Sequence, residues 1–188
     1  MTASTPAPTT ELHRWTRQTF EHMTELGAFT DTPVELVDGY ILTMSPQSSR
    51  HALAIRRIES ELRQRFSQGY KVRSQMPLAL DDYSEPEPNV AVVAGHMDDF
   101  RDQHPSTAWL VVEVAYSSAD RDQGLKKRLY ARNHIPEYWI VNLELGCLEV
   151  YRQPRDGDYS QRRILRPGDD VELPQLFGHH IAVERLLP

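Results

Sequence analysis

Two strand-like segments of the sequence carry polar residues where a buried strand usually carries none. Residues 109–115 are apolar apart from Glu113, and residues 87–93 contain Asn89. Apolar runs of this length are typical of buried strands. A carboxylate inside such a strand is unfavourable unless it is paired, protonated or bound to a metal, so Glu113 needs a partner. Two acid-type strand residues and a nearby lysine are the minimum set for metal-dependent phosphodiester cleavage. Here one of the two is an amide.

Composition predicts an ordinary globular chain. Its 188 residues, 39% hydrophobic and 26% charged, are most simply one domain over residues 10–188 behind a disordered lead-in at residues 1–9. No apolar run approaches the roughly 18 residues of a transmembrane helix, so no membrane partner is expected. The N-terminus lacks the basic and apolar regions of a signal peptide. The single cysteine, Cys147, excludes an internal disulfide and fits a cytoplasmic location.

The net charge argues against an overall field that attracts nucleic acid. The formal charge is −6, whereas proteins that hold duplex DNA unaided are usually basic. Any positive surface must therefore be local. Two basic segments are candidates: Arg56, Arg57, Arg63 and Arg65, and Arg121, Lys126, Lys127, Arg128 and Arg132. The alternative is that both are solvated helix faces in which the basic residues alternate with acids.

Local patterns predict a mixed order of helices and strands. Helical spacing of apolar residues predicts a helix over Thr10–Gly27. Asp38-Gly39 between two alternating runs predicts a hairpin, and Ser48 or Ser49 caps a second helix. The remaining predicted elements are strands near 70–76 and 78–81, the Asn89 strand, a short helix near 96–103, the Glu113 strand, a helix from Asp120 or Asp122 to Asn133, a strand at 138–141 and a hairpin over 148–165. Helices alternate with strands only in part, so the predicted fold is α/β, with a mixed β-sheet flanked by helices.

Five motifs in a fixed order carry a resemblance to a known family. They are Val34–Gly39, Met44–Pro46 with Arg50-His51 after it, Pro86–Val93, Leu110–Val114 and Leu129–Trp139. Together they span over half of the chain and resemble the Uma endonuclease family, a branch of the PD-(D/E)XK, restriction-endonuclease-like superfamily. The resemblance implies a restriction-endonuclease-like mixed β-sheet flanked by helices, a Mg²⁺ or Mn²⁺ site, and hydrolysis of phosphodiester bonds in nucleic acid.

The same resemblance implies the site residues. Glu35, Asn89 and Glu113 match the metal-binding positions, although the family pattern has an aspartate where this chain has Asn89. The superfamily lysine usually stands two residues after the glutamate, a position held here by Ala115. In this family the lysine resembles one relocated to the next helix, and Lys126 is the best match.

The three ligand candidates also have structural interpretations. Glu113 could be a buried glutamate paired with Lys126 or an arginine. Glu35 could be a strand glutamate that faces water, and Asn89 could be a structural hydrogen-bonding residue at a degenerate site. Glu87 faces the same side of its strand as Asn89. It lies about 6.6 Å away along the strand, so it could replace the missing acid only through water.

The lysine and histidine candidates have alternatives as well. Lys126 could stabilise the charge that develops in the transition state, or form an i,i+4 salt bridge with Asp122. Lys127 is a rival, because one residue along a helix turns a side chain by about 100°. His51 is predicted to be a core or cap residue rather than a ligand.

The sequence therefore predicts a Mg²⁺- or Mn²⁺-dependent nuclease that acts on nucleic acid, with DNA favoured over RNA. A homodimer would allow a two-fold pair to address both strands. The alternative is a catalytically inactive nuclease-fold module that binds nucleic acid or protein, its site inactivated by Asn89. A third interpretation, that Asn89 was introduced by engineering, stays open at this point.

Overall fold

The structure, a computed structural model, describes residues 12–66, 68–116, 122–176 and 178–188. Its helices are α1 (Arg17–Glu25), α2 (Ser49–Arg65) and α3 (Lys127–Arg132), with 3₁₀ turns at Met97–Phe100 and Val183–Arg185 and a π-helical turn at Asp122–Lys126. Its strands are β1 (Val34–Val37), β2 (Tyr40–Thr43), β3 (Tyr70–Ser74), β4 (Val90–Ala94), β5 (Leu110–Ala115), β6 (Glu137–Asn142), β7 (Cys147–Arg155), β8 (Asp158–Leu165), β9 (Asp170–Glu172) and β10 (His180–Ala182).

A six-stranded mixed sheet forms the centre of the fold. The strand order is β3-β4-β5-β6-β7-β8. The β5–β6 pair is parallel and the other neighbouring pairs are antiparallel. The strands β1–β2 and β9–β10 form two separate antiparallel pairs. The predicted mixed sheet is therefore confirmed.

Side chains alternate across the sheet and build a core on each face. Val112 and Val114 of β5 lie on one face and pack in a cluster with Ile58 of α2. Val111 of the same strand lies on the opposite face, in a cluster with Tyr130 of α3. Because side chains alternate along a strand, Glu113 projects to the same side as Val111. The fold thus directs this carboxylate toward α3.

The chain before α1 does not continue that helix backward. The helix begins at Arg17 because the Thr16 side chain accepts a hydrogen bond from the Thr19 N–H and caps the first turn. The Trp15 N–H donates to the Gly39 carbonyl at 2.9 Å, so the segment before the cap is held by the β1–β2 turn. The predicted helix start is wrong for the described residues 12–16, and residues 10 and 11 lie outside the described part.

Two further sequence predictions are corrected. Residues 78–81 form no strand, because the Leu78 N–H donates to the Pro86 carbonyl at 3.0 Å and the Leu80 N–H to the Ser84 carbonyl at 3.2 Å. Residues 78–80 are irregular, a turn follows at residues 82–83, and both leucines are buried. The helix predicted near 96–103 is a single 3₁₀ turn over Met97–Phe100.

The other predicted elements agree with the structure or extend it. The Asp38-Gly39 hairpin is present, with both residues at positive φ, 53° and 78°. Ser48 caps α2 by accepting the His51 N–H at 3.2 Å. The helix predicted from Asp120 or Asp122 begins, among the described residues, as a π-helical turn, and α3 ends at Arg132 before the Asn133 cap. Among the helices described, none is long and apolar enough to cross a membrane.

Candidate active site

The β1–β2 hairpin places Glu35 against the end of the main sheet. Leu36 forms an isolated antiparallel bridge with Glu85, which ties β1 to the segment leading into β4. Glu35 is only 7% exposed. Its Oε2 accepts the Glu87 N–H at 3.0 Å. The alternative in which Glu35 faces water is therefore wrong.

Glu113 lies near the carboxyl end of β5 and is 3% exposed. Its Oε2 accepts the Asn89 N–H at 3.2 Å. Its Oε1 accepts two side-chain hydrogen bonds, from Lys126 Nζ at 3.0 Å and from the Tyr130 hydroxyl at 3.0 Å. The partner that a buried strand carboxylate requires is thus supplied mainly by the helix that follows β5.

Lys126 joins the two glutamates. Its Nζ lies 2.9 Å from Glu35 Oε1 and 3.0 Å from Glu113 Oε1, and the residue is 8% exposed. Lys127 points elsewhere and forms an ion pair with Asp158 at 2.9 Å, so it is not the lysine of this cluster. The alternative pairing of Lys126 with the Asp122 side chain lies outside what the structure describes.

Asn89 enters the cluster through both its backbone and its side chain. In addition to its N–H bond to Glu113, its Oδ1 accepts the Val114 N–H at 2.7 Å. The side chain therefore links the entry of β4 to the end of β5. This contact is the structural hydrogen-bonding role considered from sequence, and it leaves the carbonyl oxygen a second lone pair.

Glu87 adds a further carboxylate beside the cluster. It is half-buried. Burial raises its pKa above the usual value, the carboxylate of Glu35 raises that pKa further, and the Lys126 ammonium opposes the shift. Burial is thus the main reason that this carboxyl group holds its proton more readily than usual.

These groups line one cleft of about 140 Å³. Its lining residues are Glu35, Leu42, Thr43, Met44, Ser45, Gln47, His51, Glu87, Asn89, Glu113, Val114, Leu125 and Lys126. The four residues proposed from sequence, Glu35, Asn89, Glu113 and Lys126, thus converge, and their catalytic and metal-binding roles stay predictions. His51, predicted to be a core or cap residue, is half-buried and lines the same cleft.

Tyr130 is a member of the cluster that sequence reasoning did not single out. Its side chain is fully buried, and burial, followed by the Glu113 carboxylate, raises its pKa well above the ordinary value. The phenol therefore stays protonated, and its hydroxyl donates a hydrogen bond to Glu113. The available signal was its position four residues after Lys126, which places both side chains on one helix face.

The donor set fits a hard divalent cation in kind. Carboxylate and carbonyl oxygens are the ligands of Mg²⁺, which is usually held by one or two carboxylates with waters and substrate phosphate. Glu35, Glu113 and Asn89 supply two carboxylates and one amide oxygen. Within the described ranges no group of three or more His, Cys, Asp or Glu side chains is arranged to hold a metal. The donor atoms therefore fit such a cation in kind, and the binding of a metal here stays a prediction.

Most described members of the two basic segments pair with carboxylates, and Arg121 lies outside the described residues. On α2, Arg56 and Arg63 pair with Glu59, and Arg65 pairs with Glu61, at 2.7–2.9 Å. Other members also have local partners: Arg57 donates to the Leu187 carbonyl, Arg132 pairs with Asp38 and Asp81, and Arg128 donates to the Gly124 carbonyl. The pairs with Glu59 and Glu61 agree with the interpretation as a helix face interleaved with acids, whereas Arg57 and Arg128 donate to neutral carbonyls.

Comparisons with known proteins agree with this fold. A family model named Uma2, with the description "Putative restriction endonuclease", matches residues 17–184. A crystal structure from Anabaena variabilis ATCC 29413, described as a putative nuclease belonging to DUF820, superposes with a TM-score of 0.66 at 12% identity, over 83% of this chain and 90% of that one. The type IIG restriction endonuclease BpuSI aligns over 80% of this chain and 17% of its own, at 16% identity and a TM-score of 0.40, too low to carry an argument. No curated protein matches the sequence.

Proposed function

The chain belongs to the Uma2 family, and from this premise we propose that it hydrolyses phosphodiester bonds in nucleic acid, with a divalent metal ion bound in the cleft around Glu113. The putative nuclease from Anabaena variabilis has a similar fold. The single observation that carries the proposal is the buried cluster in which Lys126 bridges Glu35 and Glu113 at 2.9 and 3.0 Å.

Charge in the cleft supports the dependence on a cation. Among the described side chains that line it, the carboxylates are Glu35, Glu87 and Glu113, whereas Lys126 is the ammonium. A phosphodiester is itself an anion, and like charges at short range in a partly buried site repel strongly. A substrate phosphate could therefore approach this cleft only with additional positive charge, and oxygen ligands favour Mg²⁺ or Mn²⁺ as its source.

The site residues would have two roles, which are to hold the metal ion and to stabilise the negative charge that develops on the phosphate. The carboxylates of Glu35 and Glu113 and the side-chain carbonyl oxygen of Asn89 would hold the metal. When bound, a divalent cation supplies Lewis-acid polarisation of the phosphate and a lower pKa for a bound water. Lys126 would present an ammonium beside the reacting phosphate, where negative charge develops in the transition state. The burial of Glu35 and Glu113 limits exchange of the site with bulk water.

A second candidate is a nuclease-fold module without catalytic activity. It is favoured by the Asn89 side chain, which brings no charge to the position and whose Oδ1 accepts the Val114 N–H at 2.7 Å. An amide in place of a carboxylate removes one negative charge from the site and so weakens its attraction for a divalent cation. Such a module would use the same fold to bind nucleic acid or protein.

A cleavage assay separates the two candidates. Supercoiled plasmid, single-stranded DNA and RNA are incubated with Mg²⁺ or Mn²⁺ and with the wild-type chain, Asn89→Asp, Glu113→Gln or Lys126→Met. Lys127→Met is the matched control, because it removes the neighbouring lysine, whose ion pair is with Asp158 rather than with the cleft. Asn89→Asp is the sharpest gain-of-function variant, since an aspartate oxygen can still accept the Val114 N–H while its second oxygen adds charge to the cleft.

The nuclease proposal expects metal-dependent cleavage that Glu113→Gln and Lys126→Met abolish and Lys127→Met retains, with DNA cut in preference to RNA. Cleavage by Asn89→Asp alone would assign the natural chain to the inactive module. If neither the wild-type chain nor Asn89→Asp cleaves or binds Mn²⁺ in calorimetry, the nuclease proposal is wrong. Sedimentation of the wild-type chain with and without duplex DNA tests the proposed homodimer.

A further inference from the structure

We propose that Tyr130 is a positioning residue that keeps the Glu113 carboxylate oriented toward the cleft when Lys126 turns to the substrate phosphate. The inference rests on the proposed function and deepens it, because it assigns different roles to Tyr130 and Lys126, which both donate to Glu113 Oε1. Tyr130 touches neither metal nor substrate in this arrangement and acts only through Glu113.

Tyr130 and Lys126 both donate a hydrogen bond to the same oxygen of Glu113. Lys126 Nζ and the Tyr130 hydroxyl each lie 3.0 Å from Glu113 Oε1. Lys126 belongs to the π-helical turn and Tyr130 to α3. π-helical turns within helices are frequent at functional sites. The chain thus places donors from two successive helical elements on the same atom.

The two donors differ in how firmly they are held. The Tyr130 ring has no exposed surface and packs on Tyr138 with ring centroids 5.1 Å apart. A tyrosine has two side-chain torsions, whereas lysine ends in a flexible four-carbon stem with a compact charge. Lys126 also contacts Glu35 at 2.9 Å. Lys126 thus has a second carboxylate partner and a flexible stem, whereas packing fixes the ring of Tyr130.

A fixed donor on Oε1 determines where the other oxygen points. Glu113 Oε2 accepts the Asn89 N–H at 3.2 Å, so the carboxylate is held at both ends, by Tyr130 on one side and by the start of β4 on the other. If Lys126 moves toward a phosphate, the Tyr130 bond still prevents rotation of the carboxylate. Glu113 then keeps the orientation needed to bind a cation between itself and Glu35.

The test compares Tyr130→Phe with a matched tyrosine variant. Tyr130→Phe keeps the ring and removes the hydroxyl. Tyr159→Phe is the control, because Tyr159 belongs to the same aromatic cluster, and its hydroxyl donates at 2.9 Å to the Ile135 carbonyl and not to the cleft. Each variant loses one hydrogen bond in the same core, so the thermal stability of both should fall. Tyr130→Phe should lose more, because its acceptor is a carboxylate and that of Tyr159 is a neutral carbonyl.

Metal affinity is the readout that a merely structural role would not move. Calorimetric titration with Mn²⁺ should give a Kd about tenfold weaker for Tyr130→Phe than for the wild-type chain, as expected from the loss of a hydrogen bond to a charged group, and an unchanged Kd for Tyr159→Phe. In cleavage assays the Mn²⁺ concentration for half-maximal rate should rise by a similar factor, with the KM for DNA unchanged. Incorporation of 3-fluorotyrosine at position 130, which restores the hydroxyl, should restore the affinity.

Failure of the inference and failure of the proposed function give different results. If the wild-type chain binds Mn²⁺ and Tyr130→Phe binds it equally well, the positioning role is wrong while the nuclease proposal stands. If no variant binds Mn²⁺, the proposed function is wrong, and the inference fails with it because no metal-binding orientation remains to be held. If Tyr130→Phe folds poorly, 4-fluorophenylalanine at position 130 fills the hydroxyl volume without a donor. Its Mn²⁺ affinity must then fall about tenfold, and an unchanged affinity overturns the role.

Discussion

Replacing Lys126 with methionine tests whether the buried cluster is an ion-pair network that a divalent cation can re-form. Lys126 Nζ is the ammonium found between Glu35 and Glu113, which are 7% and 3% exposed. Removing one partner of a buried ion pair destabilises proteins by about 3–5 kcal/mol. Methionine keeps most of the stem volume, so the change acts mainly on charge.

The structure sets the expected loss at the lower end of that range. After the change, Glu35 still accepts the Glu87 N–H at 3.0 Å, and Glu113 still accepts Tyr130 and the Asn89 N–H at 3.0 and 3.2 Å. These bonds leave neither carboxylate without donors. We therefore expect Lys126→Met to lower the free energy of unfolding by about 3 kcal/mol without metal.

Urea unfolding with and without Mn²⁺ measures the effect. A cation that replaces the ammonium stabilises the folded state by about 2.7 kcal/mol at a concentration one hundred times its Kd, so Mn²⁺ should recover most of the loss. Lys127→Met is the control, since its partly exposed pair with Asp158 contributes under about 1 kcal/mol. Equal stabilities of the two variants would refute the reasoning, and a metal-insensitive loss would refute the cation site.

Three other changes have definite expected outcomes. Burial, followed by the carboxyl group of Glu21, raises the Glu85 pKa to about 7; neutral Glu85 therefore favours the folded state below its ordinary pKa, and this contribution is lost as pH rises through 7. Glu85→Gln should raise the free energy of unfolding by up to about 3 kcal/mol at about pH 8 and leave it unchanged near pH 4, as urea titrations at both values would reveal. Asn89→Asp should lower thermal stability without metal, because it adds negative charge beside Glu113, and gain more stability from Mn²⁺ than the wild-type chain does; equal metal responses would contradict this. Gly39→Ala should lower the free energy of unfolding by roughly 1–2 kcal/mol in urea, because φ is +78° and the new Cβ would lie 2.7 Å from Arg14 Cβ; an unchanged midpoint would show that the hairpin can relax.

Elements with strong local signals were predictable from sequence. The Asp38-Gly39 turn requires two positive φ values, which these residue types tolerate, and the hairpin follows directly. Glu113 could be recognised from sequence as a candidate site residue, because a carboxylate in an apolar strand must have a partner. Lys126 or an arginine was the partner considered for Glu113, and the family resemblance separately named Lys126 as the relocated lysine. The structure pairs Lys126 with Glu113 at 3.0 Å, whereas Lys127 pairs with Asp158.

Features that depend on long-range contacts were not predictable. The segment before α1 has helical spacing, but its Trp15 N–H bonds to the Gly39 carbonyl of a turn 24 residues further along the chain. Leucines 78 and 80 alternate as in a strand, but their backbone groups bond within a turn and to Pro86. The sequence pattern indicates only that Tyr130 is an apolar helix residue. Its hydroxyl can donate to Glu113 only because the fold packs α3 against β5.

A crystal of the chain soaked in Mn²⁺ tests the central claim most directly, because manganese can be located by its anomalous scattering. The account predicts an anomalous peak in the cleft, within coordination distance of Glu35 and Glu113, with Lys126 Nζ moved from its place between them. The account would be contradicted if Lys126 stayed between the two glutamates and the cleft showed no anomalous peak, at a Mn²⁺ concentration that fully occupies a site elsewhere in the crystal.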